Sequence, residues 1–297
     1  MSKTSILSAL SKPASQSVSA VYAAADACHD VASEILSKTT LDEIELVLFH
    51  TSTSFDLDEV AQNMTSLFVN VPTVGCTSAG EFNKNGYCTE SLVVVAFLKR
   101  DFSIATALVS NVDKINFDEA HDIASGLRHT LQARDKRYDT NQHFVISVLD
   151  GLTRHEEHFL ETFATAFGNI PHLGGSAGDD LKLEATYVFY QGKFHQNAAV
   201  LMLIGTGKAF SVFSVDHIDS PVSKLVVTKA DPESRTVYEI NGEPAAQYYA
   251  SLLGLKASDL TPDVFSVFPL AVLVGDRYFI RSIQKVDLAT NAITFYC

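Results

Sequence analysis

No run of apolar residues in the chain approaches the ~18 that a membrane helix needs, so no spanning helix and no membrane partner is expected. No C-x-x-C pair occurs, which removes the usual signature of structural zinc. The four cysteines, Cys28, Cys76, Cys88 and Cys297, are too few and too scattered for a disulfide framework and fit a reducing cytosol. Positive charge is scarce: 22 Lys and Arg against 35 Asp and Glu leave a net charge of −13. A phosphate backbone would meet repulsion, so nucleic acid is not an expected partner. The start has one early lysine but no continuous apolar core, and Pro13 with several serines interrupts it, so no secretory signal is read there. These absences together predict a soluble, cytoplasmic protein.

What is present is ordinary globular material: 297 residues, 46% apolar and 19% charged, long enough for about two domains. Residues 18–36 carry Val21, Ala25, Cys28, Ala32 and Ile35 at helical spacing. An apolar strand at 45–49 follows, then a helix through Val60, Met64 and Leu67, with Ser54 and Asp56 as candidate caps and Pro72 as its stop. Next come the loop Val74-Gly75-Cys76-Thr77-Ser78-Ala79-Gly80-Glu81 and strands at 91–98 and 102–109. About a hundred residues on, the order recurs: strand 144–149, helix 154–167, Ile170-Pro171, Gly174-Gly175-Ser176-Ala177-Gly178-Asp179-Asp180, and strands at 185–190 and 197–204.

The expectation is therefore an α/β fold with mixed sheets: a helical lead-in over 1–40, an internally duplicated strand-helix-strand domain over 41–218, and a partial α+β domain over 219–297. In the last part, strands at 224–228 and 235–240, an Asn241-Gly242 turn and a helix opened by Pro244 lead to strands at 271–274, 277–286 and 293–297. A chain that stops inside a strand reads as truncated.

Several residue groups carry possible chemistry. His155 and His158 share a helix side beside Glu156, Glu157 and Glu161, a metal pair by spacing, although a solvated polar face explains them more simply. His50 and His172 each follow an apolar segment where binding loops begin. Arg277, Arg281 and Lys285, four apart, would project from one face of a strand with Phe279 and Ile283 between them. The twin glycine loops admit three readings: backbone N–H groups cradling an anion, tight turns that let the halves pack closely, or a G-x-S-x-G elbow centred on Ser176 with Asp216 and His217 downstream. The elbow needs a helix after the serine, whereas two aspartates and a strand follow. Cys76 would act as a nucleophile only with a nearby base or cation, and Glu81 opposes that.

The segments VGCTSAGEF (74–82), LDGLTRHEE (149–157), GGSAGDD (174–180) and VVTKADPESRTVYEINGEPAAQYYASLLGL (226–255) together resemble the FIST family of bacterial sensory domains. The tail RYFIRSIQKV (277–286) followed by ITFYC is similar to its haem-binding, nitric-oxide-sensing branch. The resemblance implies a sensor, not an enzyme: haem b held non-covalently, since C-x-x-C-H is absent, nitric oxide as signal, and a cytosolic hybrid histidine kinase in biofilm-type signalling as the regulated partner. A homodimer is compatible with this. The branch's histidine at the entrance to the second domain corresponds to His217, which would be the iron ligand with Asp216 and Asp219 to orient its ring; His50, His172 and His155 stand in reserve. Arg277 and Arg281 would hold the propionates. The alternatives are a haem-free FIST module that senses a small metabolite such as an amino acid, its carboxylate on the twin loops, and a serine hydrolase built on Ser176.

Overall fold

The computed structural model describes residues 18–24, 28–83, 86–134, 142–213, 221, 223–275 and 277–296. The chain forms two compact units, Met1–Phe213 and Ser214–Cys297, dividing slightly ahead of the 218/219 boundary read from the sequence.

Unit 1 is a duplication. Its first half runs β1 (Val18–Ala24), α1 (Cys28–Leu36), β2 (Ile44–Ser52), α2 (Leu57–Leu67), β3 (Thr73–Ser78), a small hairpin of β4 (Glu81–Asn83) and β5 (Gly86–Cys88), and β6 (Ser91–Leu98). The second half repeats this as β7 (Phe102–Ser110), α3 (Phe117–Arg134), β8 (His143–Leu149), α4 (Glu156–Phe167), β9 (His172–Ser176), a hairpin of β10 (Val188–Tyr190) and β11 (Lys193–His195), and β12 (Ala198–Thr206). The sheets match strand for strand: β1-β6-β2-β3 in one and β7-β12-β8-β9 in the other. In each, one parallel pair (β2 with β3, β8 with β9) joins antiparallel neighbours. The parallel pairs demand helical crossovers, and α2 and α4 supply them.

The apolar pattern of the strands makes a four-layer sandwich. Along β12, Ala199, Leu201 and Leu203 face the helices α3 and α4, while Ala198, Val200, Met202 and Ile204 face the other sheet. A strand buried on both sides carries an unbroken apolar run instead of an alternating one, which explains the sequence from Ala198 to Ile204. In β2, Val47 and Phe49 face α1 and α2, and Leu46 and Leu48 face the sheet opposite. Ile44 shares the helix side with Val47 because the β2–β6 register shifts between Ile44 and Leu46.

Four readings of the sequence are corrected. Residues 18–36 are not one helix: Val18–Ala24 is a strand that caps the open edge of β6, and only Cys28–Leu36 is helical. Its valines, tyrosine and serine suit a pleated ribbon, and pairing satisfies backbone groups that a helix there would leave open on β6. Phe102–Ser110 does not close the first copy but opens the second, followed by α3, whose weak amphipathicity hid it from the pattern. Within 185–190 only Val188–Tyr190 is strand, and it pairs with β3 of the first half. Residues 277–286 break at Ser282 into strands of two different sheets.

Unit 2 is an antiparallel sheet, in the order β13 (Val227–Asp231), β14 (Thr236–Ile240), β19 (Ala292–Phe295) and β18 (Ile283–Asp287). The Asn241-Gly242 turn, both residues at positive φ, leads β14 into β15 (Glu243–Pro244) and α5 (Ala245–Leu252). Ala245, Ala246, Tyr249 and Ala250 of α5 pack on Ile240, Ile283 and Ile293 of the sheet. The short α6 (Pro262–Val267) then leads to a separate two-stranded ribbon, β16 (Leu270–Val274) with β17 (Arg277–Arg281).

Both parallel pairs close over a bare glycine. A methyl group on Gly75 would lie 2.6 Å from the Phe49 carbonyl oxygen, and one on Gly174 would lie 2.2 Å from that of Ser147. Gly174→Ala should therefore lower unfolding stability by about 1–3 kcal/mol. Gly126→Ala, in the interior of α3 with open space around it, should raise it by ~0.5–1 kcal/mol. Denaturant midpoints of the two variants check the contrast.

Candidate functional site

The loops that leave the carboxyl ends of β2, β3, β8 and β9 converge where the halves of unit 1 meet. Gly178 N–H donates to the Thr77 carbonyl (3.0 Å) and Asp180 N–H to that of Ser78 (3.2 Å). A side chain on Gly178 would press on the Ala79 nitrogen at 2.9 Å, so the twin Ser-Ala-Gly loops lie directly against each other. Of the three readings of these loops, this geometry is that of close packing between halves.

One carboxylate crosses the join and three brace the loops on either side of it. Asp180 accepts from Ser52 Oγ (2.8 Å), Thr53 N–H (2.8 Å) and Thr53 Oγ1 (2.7 Å), and Lys182 Nζ reaches the same Thr53 hydroxyl (3.2 Å). Asp179, buried, accepts backbone N–H groups of Leu183 (2.9 Å), Glu184 (2.6 Å) and Ala185 (3.1 Å). Asp150 accepts from Asn197 N–H (2.5 Å), Leu152 N–H (3.2 Å) and the Thr186 hydroxyl. Glu81 accepts from the hydroxyls of Ser78 and Ser91. Asp180, Leu181 and Leu183 all have positive φ, a conformation worth on the order of 1 kcal/mol each for residues with side chains. The carboxylate contacts hold that crossing segment in place. With Glu81, Asp150, Asp179 and Asp180 gathered around it, the join would repel a further anion.

The candidate ligands are distributed, not gathered. His50 Nδ1 lies 3.2 Å from Cys76 Sγ, and burial lowers the imidazole's pKa. Burial, with the Glu81 charge as a lesser cause, pushes the Cys76 thiol up to about 12. The pair is a neutral imidazole sharing a hydrogen bond with a protonated thiol, so Cys76 has no thiolate to offer as nucleophile or ligand. His172 shares a hydrogen bond with Ser147 Oγ (2.9 Å) between the ring edges of Phe159 and Phe167, and burial lowers its pKa too. His155 precedes α4, and His158 Nε2 donates to the Ile115 carbonyl (2.7 Å), so the two do not converge. Among the described residues no group of three or more His, Cys, Asp or Glu is arranged to hold a metal ion. Ser176 ends β9 and is followed by the crossing segment, not by a helix, so the strand-to-helix elbow is not formed there.

In unit 2, His217, with Asp216 and Asp219, lies outside the described residues. Arg277 and Arg281 both belong to β17, and Arg281 shares a side of the strand with Phe279. Arg281 is half-buried and donates to the Ile280 carbonyl (3.2 Å). Lys285 does not extend this row: it sits on β18, beyond Ser282, in the other sheet. The ribbon leaves Val272, Val274 and Phe279 exposed on the face that carries Arg281, and Leu273 and Tyr278 exposed on the other.

Sequence reasoning missed the role of Asp180 as the lock between halves, and of Asp179 and Asp150 as braces within the second half. The signal was available in Asp179-Asp180 immediately after the second Ser-Ala-Gly, but not the partners of Asp180, Ser52 and Thr53, which stand more than a hundred residues away in the chain. Two outcomes follow. At pH 8, alkylation of native protein should leave Cys76 unmodified, and unfolding should expose it, as read by peptide mass spectrometry. For Asp179, burial raises the pKa but the three N–H donors outweigh it, and the folded value lies below the usual one. The stabilisation is then complete above the unfolded pKa of about 3.9 and is lost as pH falls through the folded value. Asp179→Asn should flatten the acid limb of the stability curve below pH ~4, measured by denaturation at stepped pH.

The FIST N domain model matches residues 45–243. An uncharacterized protein of Methanocaldococcus jannaschii is 22% identical over 254 residues, which make up 84% of this chain and 46% of that protein, so the chain spans about half the length of this relative. Among solved structures, cyanuric acid hydrolase from A. caulinodans aligns with a TM-score of 0.37 at 10% identity, over 66% of this chain and 68% of that one. The family match takes in the duplicated strands, the twin loops and the first strands of unit 2, and the chain belongs to the FIST family, whose domains are sensory modules of signal transduction.

Proposed function

We propose that the chain reads nitric oxide through haem b bound non-covalently in unit 2, and passes the signal to a cytosolic hybrid histidine kinase. The observation that carries the reading is the ribbon of β16 and β17, where exposed Val272, Val274 and Phe279 share a face with Arg281. Apolar side chains next to cations suit a flat apolar ring that bears two carboxylates. Sequence supplies one imidazole within residues 214–297, His217, and its neighbours Asp216 and Asp219 are the groups able to hold a second ring nitrogen. Residue types for a ligand, an orienting partner and two propionates are thus present in this part of the sequence, which supports the reading. When bound, a ferrous porphyrin supplies the site for the diatomic gas.

The chain's own residues do the rest. His217 provides a neutral imidazole, Arg277 and Arg281 balance the propionates, and the ribbon's apolar side chains exclude water. The signal reaches the kinase only if the liganded and free forms of unit 2 differ in affinity for it. The histidines of unit 1 are weaker candidates, since His50 and His172 are engaged by Cys76 and Ser147.

Protein expressed with ample haem should show a Soret band that moves on addition of nitric oxide. His217→Ala should weaken haem uptake at least tenfold, while His50→Ala and His172→Ala leave it unchanged. A colourless preparation that takes up no added haemin would favour the haem-free, metabolite-sensing module. A normal spectrum in His217→Ala would move the ligand to His50, His172 or His155.

A further inference from the structure

The two halves of unit 1 carry matching hairpins that have met different fates. Phe82 pairs with Tyr87 across β4–β5, their rings edge to face at 5.3 Å. Phe189 pairs with Phe194 across β10–β11 in the same way, at 5.2 Å. Each pair is five residues apart, and each hairpin is followed by a residue at positive φ, Glu90 or Asn197, that opens the next strand. Yet Phe189 is fully buried, while Phe82 and Tyr87 are 76% and 55% exposed.

The difference lies in the edge each hairpin meets. β10 adds antiparallel to β3, with Phe189 opposite Gly75, and its aromatic pair packs on Phe49. The matching edge in the second half is β9, where Gly174 corresponds to Gly75, and among the described residues no strand covers it. The positions that lie beneath the hairpin in the first half are bare in the second. Ala61 and Val74 are buried, but their counterparts Leu160 and Leu173 are 49% and 41% exposed. An uncovered edge with apolar flanks is a template for strand addition.

The occupant that fits is the hairpin already shaped for such an edge. β10–β11 reaches the opposite sheet through residues 177–187, whereas β4 is tied to β3 by Ala79 and Gly80 alone. That tether is too short to carry β4–β5 onto the β9 edge of its own chain. We propose that β4–β5 docks on the β9 edge of a second copy of this chain, with Phe82 opposite Gly174, and that reciprocal exchange makes a twofold dimer. Each contact repeats in trans what β10–β11 does within the chain.

Light scattering and sedimentation of the full chain over ~1–100 µM test this. Wild-type protein should be dimeric, and Phe82→Ser and Leu160→Glu, both at exposed positions, should each weaken dimerisation at least tenfold with unchanged thermal unfolding of the dissociated chain. An equimolar mixture of the two variants should associate more tightly than either alone, because only the mixed pair retains one intact hairpin on one intact edge. A monomeric wild type at 100 µM, undiminished dimers in both variants, or a mixture no tighter than its components would overturn the proposal.

Discussion

Unit 1 depends on how closely backbones can approach, within each half and where the halves join. Gly178 must lie against Ala79, and Gly75 and Gly174 must lie under the carbonyl oxygens of the neighbouring strands. At those distances no side chain fits, so the ladders of β2 with β3 and β8 with β9 form only because the residues there are bare. Once the backbones are that near, Asp180 can span from the second half to Ser52 and Thr53 of the first. The layered cores on either side add the bulk of the burial, but the join sets their relative position within the unit.

Much of this was legible in the sequence. The unbroken apolar runs of β6 and β12 announced strands covered on both faces, the Pro72 and Ile170-Pro171 stops bounded their helices, and the repeated Ser-Ala-Gly marked the duplication. The true extent of each copy was not legible, because β1 and β7 carry no motif. Their membership is a matter of which edge they fill, β6 or β12, and edge-filling is a tertiary fact. α3 escaped for a related reason: Ala120, Ala124, Leu127 and Leu131 form a narrow apolar stripe among many polar residues. The equal spacing of Arg277, Arg281 and Lys285 was real, but the strand assumed beneath it ends at Ser282.

The histidines illustrate how far residue type alone can mislead. His50 and His172 sit where ligand-binding residues are often found, and both are held by a neighbour in the chain and kept neutral by burial. A partner such as Cys76 or Ser147 lies on the adjacent parallel strand, and the pairing of strands, not the spacing of letters, brings it near. Within unit 2 the contrast is sharper: α5 and the sheet close a compact core around Tyr249 and Ile293, while the ribbon keeps its apolar side chains at the surface.

Ser282 separates the last paired residue of β17 from the first of β18. A one-residue joint leaves no slack between ribbon and sheet. The chain therefore passes from one sheet to the other in a single residue, and the ribbon is anchored directly to the strand that packs its Ile283 beneath α5.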